Sequence, residues 1–227
     1  PVSMLYKGNN VSCTVCEKSF KTFLPYGYGQ NTKDNRLCPY CLSLERHRLL
    51  WLYLKTKTNI FADKLKVLHI APEQPYLKQF KNAKKLNYIT ADLESPIADI
   101  HTDIRDMNVF ENNLFDVVIC NHVLEHIDDD RKALAELYRV MKPGAWAILQ
   151  VPINYNLENT FEDNSITDRK EREKIFGQYD HVRVYGKDYP DRLKRAGFNV
   201  LEDDFVKSFS PEEIETHRND FPGLYDE

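Results

Sequence analysis

The sequence predicts an α/β fold: a mostly parallel sheet with helices on both faces, preceded by a small cysteine-bearing module. Three observations carry this. From Leu65 to Leu201, short apolar runs alternate with amphipathic stretches, the pattern of strands and helices in a covered parallel sheet. The run Phe115–Cys120 (FDVVIC) is almost continuously apolar, as a strand buried on both faces requires. Two Cys-x-x-Cys pairs, Cys13/Cys16 and Cys38/Cys41, stand ahead of the alternation.

Residues 1–42 have little periodicity and are rich in Gly, Asn, Lys and Cys. Ser43 is placed to cap a helix over Leu44–Lys55. Leu65–Ile70 reads as a strand, Gln74–Lys85 as a helix, Leu86–Ala91 as a strand and Asp99–Ile104 as a short one. After Phe115–Cys120, Asp128–Asp130 can cap and charge a helix reaching Met141, with Leu134, Leu137, Tyr138 and Met141 on one face. Lys142-Pro-Gly144 stops it, and Ala145–Val151 is the next strand. Residues 153–180 are polar and charged, an insertion or lid beside the sheet's mouth. Lys187–Ala196 reads as a helix stopped by Gly197, with a strand from Phe198 to Leu201. The boundaries expected are therefore 1–58 for the N-terminal module with its connecting helix and 59–227 for the α/β domain.

The net charge is −4 over 227 residues, but it is unevenly placed. Residues 1–60 carry about +6, the remainder about −10 and the last 27 about −7. An acidic body argues against nucleic acid as partner, while the basic first 60 residues are the feature in its favour. No run approaches the roughly 20 apolar residues of a membrane span, and the first residues are too polar for a secretory leader. These features fit a cytoplasmic protein without a disulfide framework. The fifth cysteine, Cys120, ends an apolar run and reads as a core thiol.

The cysteine pairs are separated by 21 residues, about one beyond the usual window for a four-cysteine zinc site. Each two-residue spacer lets a tight turn aim both sulfurs at one ion. Four thiolates fill a tetrahedral Zn2+ completely, so the site reads as structural. A redox pair normally opens a helix after a strand, and neither pair has that setting. A module of roughly 40 residues has too little core to stand without a staple.

His122-Val-Leu-Glu125-His126 spells H-x-x-E-H, a zinc-peptidase pattern. A peptidase needs both histidines on one helix with a further ligand and an open position. Here the motif leaves a buried strand, and the next helix starts only afterwards.

The stretch FDVVICNHVLEHIDDDRKALAELYRVMKPGAWAILQV (Phe115–Val151) resembles class I S-adenosylmethionine-dependent methyltransferases of the ubiquinone-biosynthesis-like, type 11 group: a fourth strand, an LEH turn, a helix, a KPG turn and a fifth strand. His181-Val-Arg183-Val-Tyr185, followed by Ala196-Gly-Phe198, resembles a further stretch of that family. The resemblance spans residues 65–200, about 60% of the chain. It implies a Rossmann-like sheet and S-adenosylmethionine as methyl donor. It also implies a closing antiparallel strand, but nothing strand-like follows Ser210-Pro-Glu-Glu.

Residue by residue, the resemblance places the donor along the strand ends. The turn His69-Ile-Ala71-Pro72-Glu73 stands where the family has an acidic residue and a glycine-rich loop, so His69 replaces the acid and no glycine follows. Glu73 is then the candidate partner for the donor's ammonium. Asp92, with Leu93, stands where a carboxylate takes the two ribose hydroxyls. Asp103 and Ile104 stand where adenine is held, with Asp106 close in register. Asn121 lies beside the methionine moiety.

Methyl transfer is an in-line displacement, and alignment supplies much of the rate. A protonated acceptor also needs a general base. His122 and His181 are the candidate catalytic imidazoles, and Arg183 is a candidate clamp for an anionic acceptor. Arg46, His47 and Arg48 form a cationic turn that is either a solvated face or a substrate contact. A small-molecule acceptor is the reading preferred; an RNA acceptor held by the cysteine module is the alternative.

Overall fold

A computed structural model describes residues 2–27 and 32–217. Along the chain these form α1 (Val2–Leu5), β1 (Lys7–Cys13), β2 (Lys18–Phe20), β3 (Leu24–Tyr26), β4 (Lys33–Leu37), α2 (Glu45–Lys57), β5 (Leu65–Ile70), α3 (Gln74–Asn82), β6 (Leu86–Asp92), β7 (Ile100–His101), β8 (Phe115–Asn121), α4 (Asp130–Val140), β9 (Met141–Gln150), β10 (Phe161–Glu162), α5 (Arg169–Phe176), β11 (Arg183–Val184), α6 (Tyr189–Arg195) and α7 (Pro211–His217). The acidic end of the chain from residue 218 lies outside the described residues. Two units emerge: Pro1–Asp63 with Glu73–Lys84 and Asp203–Glu227, and Lys64–Pro72 with Lys85–Glu202.

The first unit is built from two antiparallel hairpins, β1–β2 and β3–β4, followed by α2 and α3. Its core is aromatic. Trp51 stacks on Tyr76 at 5.9 Å between ring centres and meets Phe61 and Phe80 edge-on at 5.1 and 5.6 Å. Such pairs contribute about 0.5–1.5 kcal/mol each beyond their buried area. The unit therefore has more core than its first 42 residues supply.

Ser43 does not cap α2. The cap position is Leu44, which has no side chain to do it. His47 substitutes: its Nδ1 accepts the Leu44 backbone N–H at 2.8 Å. With Nδ1 accepting, the ring proton sits on Nε2 and is donated to Glu73 Oε1 at 2.7 Å. Within the cationic turn His47 and Arg48 are buried, while the Arg46 side chain is 34% exposed. Arg48 is fully buried, and its Nη1 donates to the carbonyls of Arg36 and Ser43.

The second unit holds a five-stranded parallel sheet in the order β7-β6-β5-β8-β9. Leu68, Ile70, Ala91, Val118 and Cys120 share one core with Ala133, Leu134 and Leu137 of α4 and Tyr189 and Leu193 of α6. Val117 and Ile119, whose side chains alternate with those of Val118 and Cys120, are equally buried, so β8 is covered on both faces. Cys120 is a core residue, as expected. Asp129 caps α4 by accepting the Lys132 N–H. The Lys142-Pro-Gly144 turn falls inside β9 as an irregularity, with Phe115 opposite Met141 but Val117 opposite Trp146; Gly144 there takes the left-handed φ of +81°. Phe198–Leu201 is not a strand. Its alternation has no partner strand among the described residues; Phe198 packs edge-on against Tyr138 instead, at 5.3 Å. No described helix is long and apolar enough to cross a membrane.

Candidate functional site

In a parallel sheet, ligands bind at the carboxyl ends of the strands. Ile70 pairs with both Ala91 and Cys120, so the next residues, Ala71, Asp92 and Asn121, stand level at those ends. Ala71 and His122 both have left-handed backbone, with φ of +49° and +54°. Each is latched to the adjacent strand: Ala71 N–H donates to Ala91 O at 2.9 Å and His122 N–H to Gln150 O at 2.8 Å. Non-glycine residues in this region cost about 1–3 kcal/mol, and such strain clusters at functional sites. The glycine-poor turn thus adopts a conformation that glycine would take without cost. Ala71→Gly is expected to relieve the Cβ strain and raise stability in urea melts by up to about 1 kcal/mol, net of glycine's entropy. A drop in stability would show that Ala71 is not strained.

The remaining donor-side residues have distinct settings. His69 is fully buried with Nδ1 2.7 Å from the Tyr88 hydroxyl, so it belongs to the packing beneath the turn. Asp92 Oδ1 accepts the backbone N–H groups of Glu94 and Ser95 at 2.8 and 2.7 Å, which fixes the carboxylate; Oδ2 accepts none among the described residues. Pro72 is buried and Leu93 exposed. Asp103 takes Arg105 through both oxygens, Nη2 lying 2.6 Å from Oδ2, and Arg105 holds its carboxyl below the usual range. Ile104 is buried and Asp106 exposed. Glu73 belongs to the first unit, where His47 donates to it and Arg46 Nε stands 4.0 Å away.

Beyond β8 the chain makes a short 3-10 turn, Leu124–His126. His122 lies before it, so His122 and His126 do not share a helix, and the peptidase pattern has no frame. His122 Nδ1 is 3.5 Å from Glu125 Oε1. The His126 and His181 rings meet edge-on at 4.7 Å. Burial first, then the neighbouring His126, holds His181 below the usual histidine range.

Arg183 holds this turn together. Its side chain is 1% exposed. Its guanidinium donates to the carbonyls of Leu124 at 2.7 Å and Asp128 at 2.9 Å, to Ile127 O, and to Glu162 Oε2 at 3.0 Å. A side chain so committed is not a clamp for a soluble anion, which removes the ground for preferring an anionic acceptor. Arg192 joins Asp130 and Glu162 in the same network at 2.8 and 2.7 Å, and Tyr185 donates to Asp130 at 2.8 Å. Tyr185 is a core residue. Nothing in the sequence marks Asp130, Glu162 and Arg192 as a set, because they are brought together from separate segments. Glu125 is visible there only inside the H-x-x-E-H pattern.

In the first unit the four cysteines converge. Cys13 and Cys41 Sγ are 3.6 Å apart and Cys16 and Cys38 Sγ 3.7 Å, and all four lie within 4.8 Å of one another. Thiolates about 2.3 Å from a tetrahedral zinc stand about 3.8 Å apart, whereas a disulfide needs about 2.05 Å. The arrangement fits a metal and not a crosslink. Ser43 finds its place here, its Oγ 3.1 Å from Cys13 Sγ and 3.3 Å from Cys41 Sγ. A hydroxyl there can donate to a thiolate ligand and hold it in position.

Residues 57–149 match the family model described as "Methyltransferase domain". No curated protein matches the chain. Among solved structures, a Bacillus halodurans C-125 protein assigned as a methyltransferase shares 21% identity, covering 66% of this chain and 70% of that one, with a TM-score of 0.46. A SAM-dependent methyltransferase from Archaeoglobus fulgidus shares 16%, covering 66% and 68%, with a TM-score of 0.46. The [4+2]-cyclase SpnF shares 13%, covering 87% and 72%, with a TM-score of 0.52. At that identity the last likeness is one of fold alone. Residues 57–149, which hold the parallel sheet and its strand-end residues, match the methyltransferase-domain family.

Proposed function

We propose that this domain moves the methyl group of S-adenosylmethionine to a small-molecule acceptor by in-line displacement. The observation that carries the reading is the level placement of Ala71, Asp92 and Asn121 at the carboxyl ends of β5, β6 and β8, inside the stretch that matches the family. Bound there, the donor supplies an activated sulfonium methyl. Asp92, with one oxygen fixed by the backbone, presents the other to the ribose hydroxyls. Ile104 offers an apolar wall for adenine, and Asp103, paired with Arg105, borders it. Ala71, Pro72 and Leu93 line the turn, with His69 packed beneath. Asn121 borders the methionine moiety. His122 and His181 are the imidazoles nearest the acceptor, and Arg183 positions their turn without touching substrate.

Zn2+ on Cys13, Cys16, Cys38 and Cys41 has a structural role in this reading, since four thiolates leave no open position. RNA as acceptor has little support from the module's charge: Arg36 pairs with Glu45, both buried, and Arg48 is spent on carbonyls.

Calorimetry with S-adenosylmethionine and S-adenosylhomocysteine tests the proposal. Both are expected to bind, and Asp92→Ala to weaken each by about 10–100-fold, the loss of one to two charged hydrogen bonds. Absence of binding by either at about 1 mM, an affinity weaker than about −4 kcal/mol, would sink it.

A further inference from the structure

Glu125, His126 and His181 offer one ligand atom each, all within 4.8 Å of one another. We propose that they form a second metal site, for a borderline divalent transition ion, at the turn leaving β8. Two imidazoles and one carboxylate are a donor set for Zn2+, Fe2+ or Co2+, and too rich in nitrogen for Mg2+ or Ca2+.

Three observations point to a ligand. Glu125 is only 2% exposed, yet its Oε2 has no hydrogen-bond partner among the described residues. A buried carboxylate oxygen left unsatisfied is costly, and a cation would offset that cost. Each histidine also has Nδ1 near an oxygen acceptor, as a hydrogen bond for His181 and at ion-pair distance for His126. His181 Nδ1 is 3.3 Å from Phe176 O, and His126 Nδ1 is 3.4 Å from Asp180 Oδ2. Metal-bound histidines characteristically donate their second N–H to a carbonyl or a carboxylate so placed. Finally, the turn is rigidly held. Val182 N–H donates to Glu125 O at 2.9 Å, and Arg183 ties Leu124, Ile127 and Asp128 to the next segment. The first two ligands and the third are thereby fixed although His181 lies 55 positions after His126. Side-chain rotation would close the spacing to the roughly 3.4 Å of ligands about 2.1 Å from a tetrahedral ion.

Three protein ligands leave a position open. Resting on the methyl-transfer reading, that position would take an acceptor hydroxyl, whose pKa the ion would lower so that its proton is lost to solvent; the oxygen would then bond the methyl carbon as the methyl–sulfur bond breaks and S-adenosylhomocysteine leaves.

The test uses the full chain with its cysteine site already loaded with zinc, titrated with Co2+. One further Co2+ per chain is expected, with ligand-field absorption and no thiolate charge-transfer band. Glu125→Gln and His181→Ala should each weaken it by more than the 10–100-fold typical of an outer partner, and Asp180→Asn by about tenfold. No added Co2+ at about 1 mM, a spectrum with thiolate bands, or equal binding by the variants overturns the site. If Glu125→Gln does not fold, His181→Ala, whose residue lies in a loop, decides alone. Metal binding with methyl transfer indifferent to the ion overturns only the hydroxyl role. Metal binding without donor binding overturns only the methyl-transfer reading.

Discussion

Cys38→Ser is expected to release the zinc and unfold the first unit. Structural zinc contributes about 10–16 kcal/mol of apparent binding free energy at neutral pH, more than the whole stability of most domains. Serine keeps the shape and loses the thiolate. Cys38 is completely buried, so no outside group replaces it. The two tryptophans give a readout. Trp51 lies in the aromatic cluster of the first unit and Trp146 in β9 of the second. In a Trp146→Phe background, the emission of Trp51 should shift to the red on substitution, and equally on chelation of the wild type. A Cys38→Ser chain with one zinc and an unshifted Trp51 would refute a structural four-cysteine site. Ser43→Ala is the milder companion. It removes only the hydroxyl beside Cys13 and Cys41, and should weaken zinc by about 10–100-fold, as loss of an outer partner does.

Arg183→Met should destabilise the second unit by about 3–5 kcal/mol in denaturant titration, the cost of removing one partner from a buried ionic network. Methionine fills part of the volume but leaves the carbonyls of Ile127 and Asp128 without their donor, Leu124 O with only its longer bonds from Ile127 N–H and Tyr185 Oη, and Glu162 without one of its two cations. Arg183→Lys should recover only part of the loss, because an ammonium cannot span a fork of carbonyls and a carboxylate as a planar guanidinium does. Equal stability of Arg183→Met and wild type would show that solvent satisfies the turn. The network also sets an acid limit. Burial works against ionised Glu162, and Arg192 and Arg183 outweigh it, leaving the carboxyl below its ordinary value of 4.5. A depressed pKa stabilises the fold above the unfolded value and is lost as pH falls through the folded one. The stability added by Glu162 should therefore be complete above about pH 4.5 and fade below it, and Glu162→Gln should flatten that limb.

The legible parts of the molecule are those encoded locally. FDVVIC announces a strand covered on both sides, because apolar side chains at nearly every position leave no face for water. The cysteine pairs announce a four-thiolate cluster, because a two-residue spacer already brings two sulfurs together. Asp92 can be placed at a strand end because the apolar run stops there.

Other roles are hidden because the partner is far away in sequence. Ser43, beside a helix start, has the right chemistry for a cap, but folding sets it against two cysteines. Arg183 reads as a cation facing a pocket, and only tertiary structure fills its fork with carbonyls from more than fifty positions earlier. Phe198–Leu201 keeps the alternation of a strand, but a strand exists only where another offers its edge, and Phe198 finds Tyr138. In H-x-x-E-H the sequence supplies metal-binding side chains without their geometry. Folding leaves His122 beside Glu125 but outside the cluster that Glu125 and His126 make with His181. The sequence by itself determined which segments are apolar, which side chains can bind metal and where the strands end. Tertiary structure decided which of those side chains remain available, because a hydrogen-bonding group is committed by whichever partner is nearest once the chain has folded.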